Sequence, residues 1–331
     1  MPLADIFTPD AFSLISLTDA VEKVPFKPGR IGTLGLFASR GITTTIVMVE
    51  ERDGRLSLIP TNPRGAPPSA LGPRARRGRP FAVPQFQLES NILADEVQGI
   101  RAFGSDSAVL GVQALVNERL AEMRAMFEIT LEYQRIGALK GLILDADGTT
   151  VLLNLFTEFG VAQQTYVVDW NGPADITGQI IAIKRLVEDE LGGEPVSNYR
   201  AFAGDLFFDR RISIPEVKAT YQYQQGQFLR EDHRGGFEYG GVVWENYRGS
   251  VGGIPYIASN EAYVFPEAAG MFKTYFAPAD FIETVNTMGL PIYAKQVVDD
   301  ELQRFVRLHV QSNALSLNLR PRAVVKVTLT S

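Results

Sequence analysis

The feature that most constrains this chain is the stretch from residue 106 to residue 140. Val109, Val112, Val116, Leu120, Met123, Phe127 and Leu131 recur three and four residues apart. That spacing lines one face of an α-helix. Glu118, Glu122, Glu128, Glu132 and Arg135 fall on the other side. Ser105 or Asp106 can cap the start, and Gly141, just after Lys140, can end it. At 1.5 Å per residue such a helix is roughly 50 Å long. That is longer than one ordinary globular core needs, and it predicts a spine against which several other elements pack.

The second constraint is an uneven distribution of charge. The chain has 331 residues and a formal net charge of −6. Between Gly54 and Leu88 lie six Arg and no Asp or Glu, which leaves 26 bases against 38 acids elsewhere, or −12. Pro60, Pro63, Pro67, Pro68, Pro73, Pro80 and Pro84 fall in the same region, with Gly65, Gly72 and Gly78. So much proline and glycine opposes a helix or a central strand, so residues 60–84 read as a long extended loop. Loops of this length in compact domains are usually functional or disordered. Residues 43–50 (TTTIVMVE) and 55–59 (RLSLI) flank Asp53-Gly54, a pair suited to a tight hairpin turn. The expectation is a projecting hairpin with a basic, proline-rich tip, followed by a second extended segment at 81–88.

Further along, a β segment is expected from Gly141 to Phe156 and another at 165–169. A helix is expected over 174–191, ending at Gly192-Gly193, with mostly helical structure over 199–230 and a mixed, Gly- and aromatic-rich region over 237–290. Near the C-terminus, Val306, Leu308 and Val310, then Leu315, Leu317 and Leu319, then Val325, Val327 and Leu329 alternate with period two. They predict antiparallel strands broken by turns, one of them at Arg320-Pro321. There is no repeat and no regular βαβ series, so the class is α+β.

Composition excludes several chemistries. Without cysteine there is no disulfide, thiolate nucleophile or Cys-ligated metal. The only histidines are His233 and His309, too few for a three-His zinc site. His309 reads as an exposed strand position, and His233, in Glu231-Asp232-His233-Arg234, as a solvated loop. No apolar run approaches the ~18 residues of a membrane span. The N-terminal residues carry acids and no basic region, so no secretory signal is expected and the product reads as soluble and intracellular.

The best catalytic lookalike is Leu142-Ile143-Leu144-Asp145-Ala146-Asp147-Gly148-Thr149. An apolar strand ending in DxDGT resembles the first motif of haloacid-dehalogenase-type phosphatases. That resemblance implies Asp145 as nucleophile, Asp147 as general acid/base and a magnesium ion. Gly204-Asp205-Leu206-Phe207-Phe208-Asp209 resembles the late metal motif of that family, and Lys184 is a phosphate-binding candidate. The competing and favoured reading makes Asp-Ala-Asp-Gly a hairpin turn and Asp205 the start of a helix that ends near Arg210 and Arg211. The Arg74, Arg76, Arg77 and Arg79 cluster can hold phosphates or lie on an acidic surface of another chain. The second reading is preferred, since proline and glycine interleave the arginines where a nucleic-acid reader would place aromatics.

The order of elements, and four segments in particular, carry a whole-chain resemblance. The segments are Ala203 to Asp209 with Pro215-Glu216-Val217-Lys218, Arg230 to Tyr239, Thr274 to Asn286, and Gln311-Ser312-Asn313 to Arg320-Pro321-Arg322. Together they are similar to the lambda-type capsid protein E family of tailed-phage major capsid proteins, with the Hong Kong 97-like fold. The resemblance implies a structural subunit with no active site and no cofactor. It implies an N-terminal arm (1–34), an extended loop on a neighbouring subunit (35–100), a peripheral domain (101–174 and 285–331) and an axial domain (175–284). The expected partners are further copies in pentamers and hexamers, packaged DNA held weakly, a portal, and a decoration protein, scaffold or protease. No membrane partner is expected, and the location implied is the virion capsid, after assembly in the host cytoplasm. Inter-subunit contact candidates are Asp53, Gly54, Arg64, Arg74, Arg76, Arg77 and Arg79. Cross-linked shells of this type use a loop lysine. None occurs between Lys27 and Lys140, so no such cross-link is expected.

Overall fold

The computed structural model describes residues 13–23, 29–52, 76–97, 108–170, 175–192, 196, 198–223, 236–251, 253–268, 270–299 and 304–330. Two helices, α1 (Leu14–Lys23) and α2 (Arg30–Leu34), lead into strands β1 (Ala38–Gly41) and β2 (Ile46–Arg52). Strands β3 (Arg76–Ala82) and β4 (Phe86–Leu93) precede a single turn, α3 (Ala94–Val97), and the spine, α4 (Ala108–Lys140). Strands β5 (Leu142–Leu144) and β6 (Val151–Asn154) run into α5 (Leu155–Phe159), β7 (Gln164–Val168) and α6 (Ile176–Leu191). Next come β8 (Tyr199–Ala203), α7 (Asp205–Ile212), α8 (Pro215–Tyr223), β9 (Phe237–Tyr239) and β10 (Val242–Asn246). A small hairpin, β11 (Ser250–Val251) and β12 (Ile254–Pro255), precedes β13 (Glu261–Pro266) and β14 (Phe272–Phe276). The last strands are β15 (Tyr293–Val298), β16 (Phe305–Ser312), β17 (Ala314–Asn318) and β18 (Val325–Leu329). The mixture is α+β, as expected.

The chain forms two compact units. One comprises residues 1–49, 80–135 and 273–316, the other 50–79, 136–272 and 317–331. In the first unit, β16 is the centre of an antiparallel sheet between β15 and β4. The strand alternates as the period-two pattern requires, with Val306, Leu308 and Val310 buried. Helix α1 and the N-terminal half of α4 cover that face. Leu17, Val21, Val116, Leu120 and Met123 join Ile92, Ile292 and Ala294 in one core. A second sheet, ordered β1-β14-β17, has β1 parallel to β14.

The second unit is built on a six-stranded sheet, ordered β7-β18-β13-β8-β10-β9. Helix α6 lies over it through Ile176, Ile180, Ile183, Val187 and Leu191. Asp175 caps the start of α6 by accepting from the Gly178 amide at 2.7 Å, and Gly192 ends it at φ 65°. The end of α4, from Ile136, belongs to this unit. Gly137 lets β5 approach the helix, since a Cβ there would lie 3.0 Å from the Ile143 Cα and the Leu142 carbonyl oxygen.

Several expectations need correction. Among the described residues β2 pairs with β3, whose apolar Pro80-Phe81-Ala82 end offers a buried anchor, with Phe81 2% exposed; residues 55–59, expected to form the second arm of a hairpin, lie outside the described residues. The 60–84 loop is therefore shorter than expected at its C-terminal end. Proline is tolerated at residue 80 because a two-stranded ladder leaves each strand an open edge. Residues 199–203 are not helical but form β8, near the middle of the larger sheet, where Phe202 and Ala203 are fully buried. Leu155 and Phe156 begin a helix where the strand was expected to continue, because Asn154 accepts from the Phe156 and Thr157 amides. The three C-terminal strands do not pair with one another; they enter three different sheets, and β18 runs parallel to β7. Glu132 and Arg135 are buried, not on a solvated side, because the last turns of α4 are enclosed almost all round.

Candidate functional site

The basic segment is the first candidate. Arg76, Arg77 and Arg79 fall in β3, while Asp53, Gly54, Arg64 and Arg74 lie outside the described residues. Arg79 is engaged within its own chain. Its guanidinium donates to the Glu158 carbonyl, and to the Phe159 carbonyl at 3.3 Å, and stands 5.6 Å from the centre of the Phe159 ring. Those carbonyls end α5, which stops at Gly160 with φ 65°. The cation thus satisfies acceptors that a helix leaves unpaired and sits at the negative end of its dipole. Arg79 fastens the base of the β2–β3 ladder.

The carboxylate motifs resolve as local structure. Strands β5 and β6 are antiparallel, and Asp145 to Thr150 form the turn between them. The Asp147 carboxylate accepts from the Thr149 and Thr150 amides at 2.9 and 2.8 Å and from the Thr150 hydroxyl at 2.6 Å. Those donors hold its carboxyl well below the usual carboxylate range. Asp145 Oδ1 accepts from the Ala146 amide at 2.8 Å, and Gly148 supplies φ 70°. Asp205 opens α7 and pairs with Arg248 at 3.3 Å, and Lys184 lies 4.8 Å from the centre of the Tyr199 ring. Among the described residues no group of three or more His, Asp or Glu is placed to hold a metal ion. His309 is not an exposed strand position: its side chain is only 16% exposed, 3.1 Å from Glu89 across the ladder and edge-on to Phe281. His233 lies outside the described residues.

Sequence reasoning missed three features. Glu132 reaches the start of α2, accepting from the Ile31 amide at 2.7 Å and the Gly32 amide at 3.3 Å. It replaces the cap that Gly29 lacks, and a Cβ on Gly29 would collide with its carboxyl group. Arg211, at the end of α7, is fully buried with its guanidinium 4.2 Å from the Trp244 ring centre and 5.5 Å from those of Phe237 and Tyr239. Burial lowers its pKa, and it makes no hydrogen bond among the described residues. The only available signal was an arginine in the last turn of an apolar-faced helix, which is unremarkable in sequence. Third, the turn around residues 282–288 presents Ile282, Val285 and Met288 to solvent, with Ile282 95% exposed. It is held from beneath: the Thr284 hydroxyl donates to the Ala279 carbonyl at 2.6 Å, and the Gly289 amide donates to the Ile42 carbonyl at 2.8 Å.

The geometry therefore offers surfaces and an anchored ladder, with both carboxylate motifs spent on a turn and a helix start. Comparison with known proteins agrees. The sequence model of the family described as phage major capsid protein E matches residues 13–329. This chain belongs to that family. The capsid E-family relatives include the major capsid protein of Salmonella phage Felix O1, 27% identical over 96% of this chain and 96% of the relative. The major capsid protein of Pseudomonas phage KPP10 is 29% identical, over 95% of this chain and 96% of its own length. A solved prophage capsid protein from E. coli CFT073 superposes with a TM-score of 0.56 at 12% identity, covering 96% of this chain and 99% of that one. That likeness is one of fold and is consistent with the Hong Kong 97-like architecture. As a phage major capsid protein of the E family, the chain has a structural role, and its exposed apolar and charged surfaces are the features to explain.

Proposed function

We propose that this chain is the head subunit of a tailed phage, associating with copies of itself into pentamers and hexamers and then into an icosahedral shell around double-stranded DNA. The single observation that carries the reading is the family match along nearly the whole chain. In this reading residues 1–34 are the N-terminal arm and 35–100 the extended loop that lies on a neighbour. Residues 101–174 and 285–331 form the peripheral domain, and 175–284 the axial domain around the symmetry axes. The basic loop on an otherwise acidic body gives a head-to-tail contact, the kind that closes into rings. Each contact is weak, and many of them sum to a stable shell. A net charge of −6 suits a container that must not hold its DNA tightly. A portal, and a scaffold, protease or decoration protein, complete the set of partners; assembly takes place in the host cytoplasm and the product resides in the virion capsid. Without a loop lysine, reinforcement comes from packing or decoration rather than cross-linking.

The test is sedimentation and negative-stain microscopy of the purified chain, alone and co-expressed with its neighbouring head genes. Rings, tubes or closed shells are expected. A chain that stays monomeric under both conditions would refute the reading.

A further inference from the structure

Arg211 is buried without an acceptor. The residue is 0% exposed, and among the described residues its Nε, Nη1 and Nη2 all lack a hydrogen-bond partner. A guanidinium keeps its charge inside a protein, so losing a proton cannot relieve the burial. What surrounds it is aromatic. Trp244 of β10 lies across the ladder from Phe237 of β9, and Phe237 stacks on Tyr239 with ring centres 6.4 Å apart. Ring faces attract the cation. The five N–H bonds, however, point outward in the guanidinium plane, in a fork that fits a bidentate acceptor. The acids on the same three elements are committed or turned away. Glu245 pairs with Arg200 at 3.4 Å and Asp205 with Arg248 at 3.3 Å, while Asp209 and Glu238 are exposed. Buried charges in proteins are normally paired, so this one marks a missing anion.

We propose that Arg211 is the centre of a binding site for a small monovalent anion, of carboxylate or halide type, held by the N–H fork inside the Phe237–Tyr239–Trp244 cage. The anion answers the charge that the rings only partly compensate. It also fastens two elements together, because Arg211 closes α7 and the three rings stand on β9 and β10, at one edge of the larger sheet. One guanidinium balances one negative charge, so a dianion such as sulfate would carry an unanswered charge into the cage and is disfavoured. An anion that binds only the folded chain stabilises it in proportion to the logarithm of its concentration once the site is filling.

The chain has two tryptophans, Trp170 and Trp244, which makes the test direct. Trp170→Phe in the full chain leaves Trp244, 4.2 Å from the guanidinium, as the only indole reporter. Bromide is the probe, because a heavy halide held beside an indole quenches its fluorescence. With ionic strength held constant by sodium sulfate, bromide should quench along a saturating curve, and acetate should reverse it. Caesium, which quenches by collision alone, should show no saturation. Arg211→Lys keeps the charge but not the fork and should weaken the apparent bromide affinity about tenfold. Arg211→Met should abolish saturation. The chain with Arg211 intact decides the matter even where those two variants fail to fold. Quenching that is linear in bromide, that caesium reproduces, or that acetate leaves unchanged would overturn the proposal, as would saturation retained in Arg211→Met. Saturation appearing only after Glu231→Gln with Asp232→Asn would overturn it too, since the acceptor would then be the chain's own carboxylate.

Discussion

At the scale of single residues, the most informative group is Glu132. It is 6% exposed and caps α2 from across the fold, so it holds the N-terminal segment to the spine by two charge-assisted bonds. Glu132→Ala should cost about 1–3 kcal/mol in urea unfolding, because it leaves two amides without acceptors. Gly29→Ala should lose stability too, by displacing the carboxyl group, and combining the two changes should cost less than their sum. Asp147 makes a prediction in pH. Its carboxyl is held below the ordinary range in the folded turn, so its contribution is present above that range and is lost as pH falls. The acid limb of the stability curve, below about pH 4, should therefore be shallower in Asp147→Asn than in the unaltered chain. Equal limbs would mean that the Asp147 turn is not formed in solution. Asp145 and Asp147 show why a catalytic motif and a turn are hard to separate from letters alone. Both need short acids and a glycine, and only the antiparallel pairing of β5 with β6 decides between them.

At the scale of elements, α4 was the most legible part of the chain, because a long amphipathic period survives in one dimension. What the period did not show is where the helix stops being amphipathic. Beyond Leu131 the surroundings close over Glu132, Gln134 and Arg135, and burial there depends on α2, β1 and β14, which are distant in sequence. Leu120→Ala, in the region where period and burial agree, should cost about 2–5 kcal/mol, read by calorimetry or denaturant. Gly141→Ala should also destabilise, since residue 141 has φ 85° and faces the Phe156 ring, with faster hydrogen exchange in β5 as the readout. The β2–β3 ladder was half legible. Its first strand is legible as a β-branched run, whereas β3 hides in an Arg- and Gly-rich stretch whose strand character depends on burying Phe81. Arg79→Ala should release that ladder from α5 and speed exchange of the Gly160 and Val161 amides while leaving the core of the first unit unchanged.

At the scale of the whole molecule, the prediction concerns association. Deleting residues 60–84 would remove the whole of β3, Phe81 included, and would damage the fold. Replacing only residues 55–74 by a Gly/Ser linker should leave thermal unfolding nearly unchanged and abolish particles in electron micrographs. Particles of normal yield would show that the basic segment is dispensable. Raising salt from about 0.1 M to 1 M shortens the screening length from ~10 Å to ~3 Å and should slow assembly of the unaltered chain, as followed by light scattering. By itself the sequence determined the α+β class, the spine, the basic segment and the family resemblance, because each is a local period, a composition or a set of motifs. The tertiary structure alone decided which strands pair, that residues 199–203 lie near the middle of a sheet, that Glu132 caps a helix a hundred residues away, and that Arg211 is buried among three rings. Those are properties of pairs of segments far apart in the chain, where burial and hydrogen-bond partners are chosen by packing and leave no periodic trace in either segment.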